Sequence, residues 1–285
     1  MSLKNTKLQW ILRILKENFL PIKKESWRMA DHVGTCVMTF NLKTDKPTDG
    51  KNNWRYRRDA IVRMIKDEQP DIICCQEVMP HMAKFLKAKI GCVYDCYGRD
   101  TFHGTRLERS TLCHTLGNII FYNKEKFRMV DRYAFWLSDT PGKPSATWGN
   151  TEPRNCVVVE LRDNFYNNQP IVVMCTHFDH LSQDARARSA QLIVENGFDM
   201  YGDMTCYLAG DLNANINDPE LKPLQAFESH PKEGVTTFNG FTGNKKSIID
   251  YIICNRHNHV SDIVLSSYGV PYMSDHYPVI AIRFV

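Results

Sequence analysis

Apolar runs that stop on a polar residue recur along the chain and predict its strands. Residues 32–42 read as a strand, V-G-T-C-V-M-T-F-N-L after the histidine, that closes on Asn41. Residues 71–78, D-I-I-C-C-Q-E-V, end on Gln76 and Glu77, and residues 171–178, I-V-V-M-C-T-H-F, carry His177 near their end. Residues 206–215, C-Y-L-A-G-D-L-N-A-N, run into Gly210, Asp211, Leu212 and Asn213. Residues 248–254, I-I-D-Y-I-I-C, embed Asp250 among apolar neighbours. Further strands are predicted over 117–122, 127–137, 156–162 and 278–285, with a strand and a long loop within 91–115. Short apolar runs bounded by turn residues fit buried strands. Helical spacing predicts helices over 54–68, ended by Pro70, over 80–89, and over 182–199 with Ser182 as the N-cap. Loops rich in Pro, Gly and Asp fill 43–53 and 139–153.

Residues 1–30 stand apart. Leu8, Ile11, Leu12, Leu15 and Phe19 lie on one helical face, with Lys4, Lys7, Arg13 and Lys16 in the same segment. These charges interrupt any secretory apolar region. A basic amphipathic helix fits a membrane surface or its own domain, and packing on its own domain is the expectation. The reading is an amphipathic helical extension over 1–30 and one catalytic domain over 31–285, with no internal repeat and no linker.

The 285 residues, 43% of them hydrophobic, suffice for one large domain with a sizeable core. A net charge of +4 permits a phosphate-bearing substrate, but it is milder than expected of a protein that grips long duplex DNA. No apolar run approaches the length of a membrane-spanning helix. Most of the 10 cysteines sit inside apolar runs, among them Cys74, Cys75, Cys156 and Cys175. That usage, with no signal peptide, predicts free thiols and a cytoplasmic protein. A monomer is expected. There is no C-x-x-C pair, and Cys92, Cys96, Cys113 and His114 are poorly spaced for zinc.

The chemistry concentrates where the strands stop. Asp211 and Asn213, two apart in extended backbone, point to one side. A carboxylate and an amide so placed can bind a hard metal ion or hold and deprotonate a water, although an Asx-rich turn uses the same residues. Gly210 allows a close backbone approach beside them. A buried unpaired carboxylate costs several kcal/mol, so Asp250 needs a partner, and His276 is the natural one. Singly, His177 reads equally as a satisfied core histidine, and Asp275-His276 as a surface turn. Together Asn41, Glu77, His177, Asp211, Asn213, Asp250, Asp275 and His276 form a set that one edge of a layered fold would bring into one site.

Six motifs in order carry a resemblance: T-F-N-L at 39–42, Q-E at 76–77, T-H-F-D-H at 176–180, G-D-L-N at 210–213, I-D-Y-I at 249–252 and S-D-H at 274–276. From about residue 33 to the C-terminus the chain resembles the endonuclease/exonuclease/phosphatase superfamily. R-R-D at 57–59, G-R-D at 98–100 and F-W-L-S at 135–138 further resemble a branch of small microbial-type members. The resemblance implies an α/β fold: a four-layer αββα sandwich of two facing mixed β-sheets flanked by helices, like DNase I. It implies metal-dependent phosphoester hydrolysis with Mg2+, for which Mn2+ is a plausible substitute. Carried over, Glu77 is the main metal ligand, with Asn41 nearby and Asp275 supporting the metal site or His276. Asp211 and Asn213 position or activate the attacking water, Asp250 orients His276, and His177 and His276 contact the scissile phosphate. Whether Asp211 or His276 is the base stays open, as does one metal or two. Arg99 and Arg186 are candidate substrate contacts, and Arg186 alternatively anchors the T-H-F-D-H loop through Asp179 or another acid.

The chain departs from that branch at Thr115-Leu116-Gly117-Asn118, where members often carry an acidic residue followed by an aromatic. The run 101–114, with Arg106 and Arg109, would then shape the pocket mouth. The resemblance implies a phosphoester substrate, either nucleic acid or a small phosphorylated molecule. A nuclease, such as a 3′-5′ RNA exonuclease, is the first expectation, with Tyr97, Phe102, Trp136 and Trp148 either stacking on bases or packing the core. The alternative is a small-molecule or lipid phosphoesterase, acting on an inositol phosphate or sphingomyelin. A catalytically inactive binding module is disfavoured because every site position is filled.

Overall fold

Alternate residues of the same strand bury against different partners, and this alternation builds the layers. In β1 (Gly34–Asn41) Val37 faces inward between the sheets, while Met38 and Phe40 face outward. In β2 (Ile72–Val78) Ile72 and Cys74 face inward, and Ile73 and Cys75 outward. A period of two with both faces apolar requires a cover on each side. The computed structural model describes residues 34–112, 115–232, 234–244, 247–266 and 268–284. The extension expected over 1–30 lies outside the described residues, as do Cys113 and His114.

The first sheet has the order β11-β12-β1-β2-β4-β3, with β3 at Tyr94–Asp100, β4 at Gly117–Asn123, β11 at His259–Ile263 and β12 at Val279–Phe284. The second has the order β5-β6-β7-β8-β10-β9, built from Phe127–Trp136, Asn155–Asp163, Pro170–His177, Thr205–Asp211, Asp250–Cys254 and, for β9, Glu228–His230. Helices α1 (Trp54–Glu68) and α2 (Pro80–Ile90) cover the outer face of the first sheet, burying Ile61, Met64, Met82 and Leu86 against Phe40 and Ile73. Helix α3 (Gln183–Ile193) covers the second, burying Ala190 and Ile193 against Met174 and Leu208. The result is the expected αββα sandwich of two mixed six-stranded sheets.

Local sequence sets the helix ends. The Asn53 side chain accepts from Arg55 N–H at 3.2 Å and opens α1, which closes on Gln69 in the left-handed region ahead of Pro70. Ser182 caps α3 as expected, accepting from Ala185 N–H at 3.1 Å. The predicted helix over 182–199 holds α-geometry only to Ile193, then widens into π-type turns over Val194–Asp199. There Gly197 lies so close to Met174 that an added Cβ would meet its sulfur at 2.3 Å. Apolar periodicity does not predict strands β9 and β11: E-S-H and H-V-S-D-I are short, mostly polar, and lie at sheet edges. Among the described residues, no helix is long and apolar enough to cross a membrane, and the nine described cysteines are free.

Candidate active site

Parallel pairing aligns the ends that carry the chemistry. β1 and β2 run parallel with Asn41 beside Gln76, and β7 and β8 run parallel with His177 beside Asp211. β10 enters antiparallel to β8, so its first residue, Asp250, also lies beside Asp211. Gly210 permits the close approach of β7 to β8, because a Cβ there would meet the Thr176 carbonyl oxygen at 2.2 Å. The sheets join where Asn41 Nδ2 donates to Asp211 Oδ2 at 3.0 Å and to Glu77 Oε1 at 3.1 Å.

Two site residues adopt left-handed backbone. Glu77 has φ +56° at a bulge between β2 and β4, which re-aims its side chain toward the cleft. Asn213 has φ +50°, so that its N–H donates to Asp211 Oδ1 at 3.0 Å and its amide to the Phe178 carbonyl at 3.0 Å. Such conformations cost about 1–3 kcal/mol each and cluster at functional sites.

Asp250 has the predicted partner. His276 Nδ1 lies 2.8 and 3.1 Å from its two carboxylate oxygens, with both side chains buried. The other ring nitrogen, Nε2, stands 3.6 Å from Asp211 Oδ2, and His177 Nε2 stands 3.5 Å from the same oxygen. Two imidazoles thus converge on one carboxylate oxygen at the floor of a cleft of about 610 Å³.

The charges are sorted by environment. Burial alone would lower His276, but Asp250, Asp211 and Asp275 push it up to about 10. Burial and the Arg154 charge hold His177 down to about 4. At neutral pH one imidazole is therefore a cation and the other is neutral. Burial and the adjacent Asp250 raise the Asp211 carboxyl above its usual range, which makes it a stronger base. Burial would raise Glu77, but His177, Lys43, the Thr44 N–H at 3.0 Å and the Asn41 amide hold it down to about 2. Because His177 is neutral at pH 7, Lys43 and the two hydrogen bonds sustain that ionisation there.

Folded His276 binds its proton more tightly than the unfolded side chain does. Its stabilising contribution is therefore complete below about pH 6.5 and disappears as pH rises through about 10. We expect activity to show an alkaline limb near pH 10, and Asp250→Asn to move that limb down by more than one unit. An unshifted limb in a pH–kcat profile would separate His276 from it.

The oxygen donors expected to hold a cation lie together at the cleft. Glu77 and Asp275 both line it, and both raise the Lys43 ammonium, which rests 3.1 Å from Asp275 Oδ2. An existing cation paired with Asp275 and favoured by the Glu77 charge shows that this corner attracts positive charge. Hard oxygen donors there fit a magnesium-type ion. The cluster of Asp211, Asp250 and His276 also places three ligand atoms within 4.8 Å of one another, with His276 Nδ1 bonded to Asp250 inside it.

Arg99 and Arg186 do not reach the cleft. Arg99 donates to the Tyr97 hydroxyl at 2.8 Å and to the Gly104 carbonyl at 2.7 Å. Arg186 grips Glu220 Oε1 at 2.8 Å and the Asp179 carbonyl at 3.1 Å, anchoring the loop after β7. Three of the proposed base-stacking aromatics belong to the interior: Tyr97, Trp136 and Trp148 are all buried. Trp136 Nε1 donates to the Thr101 carbonyl and Trp148 Nε1 to Asp139, both at 2.7 Å, because a buried indole N–H needs an acceptor. Arg106 pairs with Glu108, and neither it nor Arg109 lines the cleft, whereas Leu116 of the departing stretch does.

Residues not singled out also line the cleft: Lys43, Lys46, Arg154, His180 and Phe238. Arg154 lies 3.8 Å from Asp179 Oδ2, and Phe238 packs on His276 with ring centroids 4.8 Å apart. Lys43 and Arg154 each sit within two residues of an expected strand end, which was the available signal. Phe238 lies in a loop with no periodic pattern.

The profile of the Endonuclease/Exonuclease/phosphatase family matches residues 38–276. The uncharacterized protein L388 of Acanthamoeba polyphaga mimivirus is 28% identical over 174 residues, which are 57% of this chain and 60% of that protein. The chain thus spans under two thirds of the length of this curated relative. The crystal structure of an endonuclease/exonuclease/phosphatase from Bacteroides vulgatus superposes with a TM-score of 0.79 at 26% identity, covering 88% of this chain and 99% of that one. A mannosyl-6-phosphatase from Bacteroides thetaiotaomicron shares the fold, with a TM-score of 0.76 at 24% identity over 88% of this chain and 100% of its own.

Proposed function

The chain belongs to the endonuclease/exonuclease/phosphatase family, and on that premise we propose that it hydrolyses a phosphoester by attack of water on phosphorus in the cleft between the two sheets. The observation that carries this reading is the convergence of His177 Nε2 and His276 Nε2 on Asp211 Oδ2, at 3.5 and 3.6 Å. Two N–H donors so placed hold phosphoryl oxygens, and the carboxylate beside them takes a proton from water.

In this mechanism Asp211, with its raised pKa, is the base. The water oxygen bonds to phosphorus, its proton passes to Asp211, and the ester P–O bond breaks toward the leaving oxygen. Asn213 fixes the Asp211 carboxylate through its backbone N–H. His276 remains an imidazolium because Asp250 stabilises it, and it offsets the negative charge that builds on the phosphoryl oxygens. Neutral His177 donates from Nε2. Glu77 and Asp275, with Asn41 bracing Glu77 and Asp211, would hold a divalent ion. That ion supplies charge neutralisation and lowers the pKa of bound water.

For the substrate, the cleft of about 610 Å³ is of the size that encloses small ligands. With Tyr97, Trp136 and Trp148 buried, a run of stacked bases has no platform there. We therefore favour a compact organic phosphoester, such as a sugar or inositol phosphate. That the fold admits such a substrate accords with its being shared by a mannosyl-6-phosphatase. The second reading, the end of a single-stranded RNA, is favoured by Phe238 in the cleft wall, where one terminal base can stack.

A parallel turnover screen tests both. It uses magnesium with sugar phosphates, an inositol polyphosphate, sphingomyelin, oligoadenylate RNA, single- and double-stranded DNA and a generic bis-aryl phosphodiester. Turnover of a small phosphate at least tenfold above the oligonucleotides is the expected result, and the reverse order establishes the nuclease reading. Excess chelator is expected to lower activity more than 100-fold, with recovery on adding magnesium or manganese. Unchanged hydrolysis in chelator would show that the reaction needs no metal.

A further inference from the structure

A second cluster of ligating side chains lies at the other end of β10. Glu228 pairs with Cys254 and His230 with Ile252 in the β9–β10 register, so Glu228 is four residues along β10 from Asp250. That separation is about 13 Å. The third member, His259, comes from β11, the edge strand of the other sheet, as β9 is the edge of its own. The three side chains place ligand atoms within 4.8 Å of one another.

The polar atoms here are incompletely satisfied. His259 Nδ1 lies 2.6 Å from Glu228 Oε2, while its Nε2 is buried without a hydrogen-bond partner. His230 is 2% exposed; its Nδ1 meets Ser261 Oγ at 2.9 Å, and its buried Nε2 also has no hydrogen-bond partner. That Nε2 points at Glu228 Oε1 from 3.4 Å. Where the Ser261 hydroxyl accepts from Nδ1–H, Nε2 presents its lone pair to a metal, which is how a hydrogen-bonded neighbour prepares a metal-binding imidazole. In that tautomer a cation between the lone pair and the Glu228 oxygen offsets their repulsion. Two ligand atoms on one tetrahedral zinc ion lie about 3.4 Å apart, and the His230–Glu228 contact already has this spacing.

We propose that Glu228, His230 and His259 form a second, non-catalytic transition-metal site that takes Zn2+ and ties together the edges of the two sheets. Imidazole nitrogens with one carboxylate suit zinc rather than magnesium. Arg283 faces His259 across the β11–β12 pairing and opposes positive charge. Retention therefore depends on coordinate bonds to nitrogen rather than on net charge. The protonation states agree: burial lowers His230, and lowers His259 to about 4. Burial opposes ionisation of Glu228, but contact with His259 above all holds its carboxyl below the usual range. Neutral imidazoles and an ionised carboxylate are the ligating forms. Glu228 keeps 15% side-chain exposure, so water can complete the coordination from its side.

The test is zinc titration of the full chain, stripped with chelator, read by thermal unfolding and by the visible bands of Co2+ bound in place of zinc. Wild type and Glu77→Gln, which weakens the catalytic cation corner, are both expected to gain on the order of 5 °C at a hundredfold excess over Kd. Both should show the intense bands of a four-coordinate cobalt site. Glu228→Gln and His230→Gln are expected to lose the shift and the bands while keeping phosphoester turnover within twofold of wild type. If either of these variants fails to fold, the Glu77→Gln protein still decides. Loss of zinc binding there would place the ion in the catalytic cleft and overturn the proposal, as would the absence of any zinc-dependent shift in wild type.

Discussion

Asp211→Asn is expected to lower kcat by about three to four orders of magnitude, while the protein stays as stable as wild type or becomes more stable. The two effects share a cause. Asp211 is 2% exposed, lies beside Asp250, and has its carboxyl raised by burial and by that neighbour. A carboxyl whose folded pKa exceeds its unfolded value resists ionisation in the fold, so its charge works against folding at neutral pH. The amide is nearly isosteric and removes that charge. It still accepts from Asn41 or from the Asn213 N–H, but it cannot take a proton from water. Turnover under saturating substrate and the thermal midpoint, measured on one preparation, check both halves. Near-wild-type kcat would exclude Asp211 as the base, and a large fall in midpoint would show that its charge is structural.

The largest effect on stability is expected at Arg57, which the cleft does not expose. It is 1% exposed on α1, and its guanidinium donates to the carbonyls of Leu42 at 2.8 Å, Met273 at 2.6 Å and Lys43 at 3.1 Å, and also to that of Asn52. It thereby joins the segment after β1, which presents Lys43, to the segment that presents Ser274, Asp275 and His276. The Ser274 hydroxyl closes the same joint by donating to the Asn41 carbonyl at 2.6 Å. Arg57→Met keeps most of the volume but strands several buried carbonyls, each costing about 1–3 kcal/mol. We expect a loss of roughly 3–5 kcal/mol in denaturant unfolding, with turnover falling as well because Asn41 and His276 lose their common brace. Arg57→Lys should recover only part of this, since one ammonium cannot reproduce a planar fork of donors. A loss under 1 kcal/mol in the methionine variant would contradict this role.

The edge that carries the candidate site was legible because its residues interrupt apolar strands. Asp250 between Ile249 and Tyr251 demanded a partner, and burial left His276 as the natural choice. The αββα layers were implied by the family resemblance that the ordered motifs carry. What stayed hidden depended on tertiary placement. Arg99 and Arg186 are cations close in sequence to site segments, yet neighbouring carbonyls and Glu220 bind them elsewhere. Tyr97, Trp136 and Trp148 have the composition of a stacking surface, but composition does not tell which face a strand buries. Strands β9 and β11 are too short and too polar for periodicity to reveal, and with them the cluster of Glu228, His230 and His259 was invisible. Residues 228 and 259 are separated by a loop and a strand, and only sheet packing brings them together.

The cleft holding His177, Asp211, Asp250 and His276 is proposed to break phosphoesters. The most direct test is turnover of a bis-aryl phosphodiester and a panel of sugar phosphates in magnesium by wild type and by His276→Ala, purified side by side. Measurable turnover by wild type and a loss of at least 100-fold in the variant are expected, with the variant still cooperatively folded. Equal turnover by the two folded proteins, or none by wild type with magnesium or manganese on any phosphoester, would contradict that proposal.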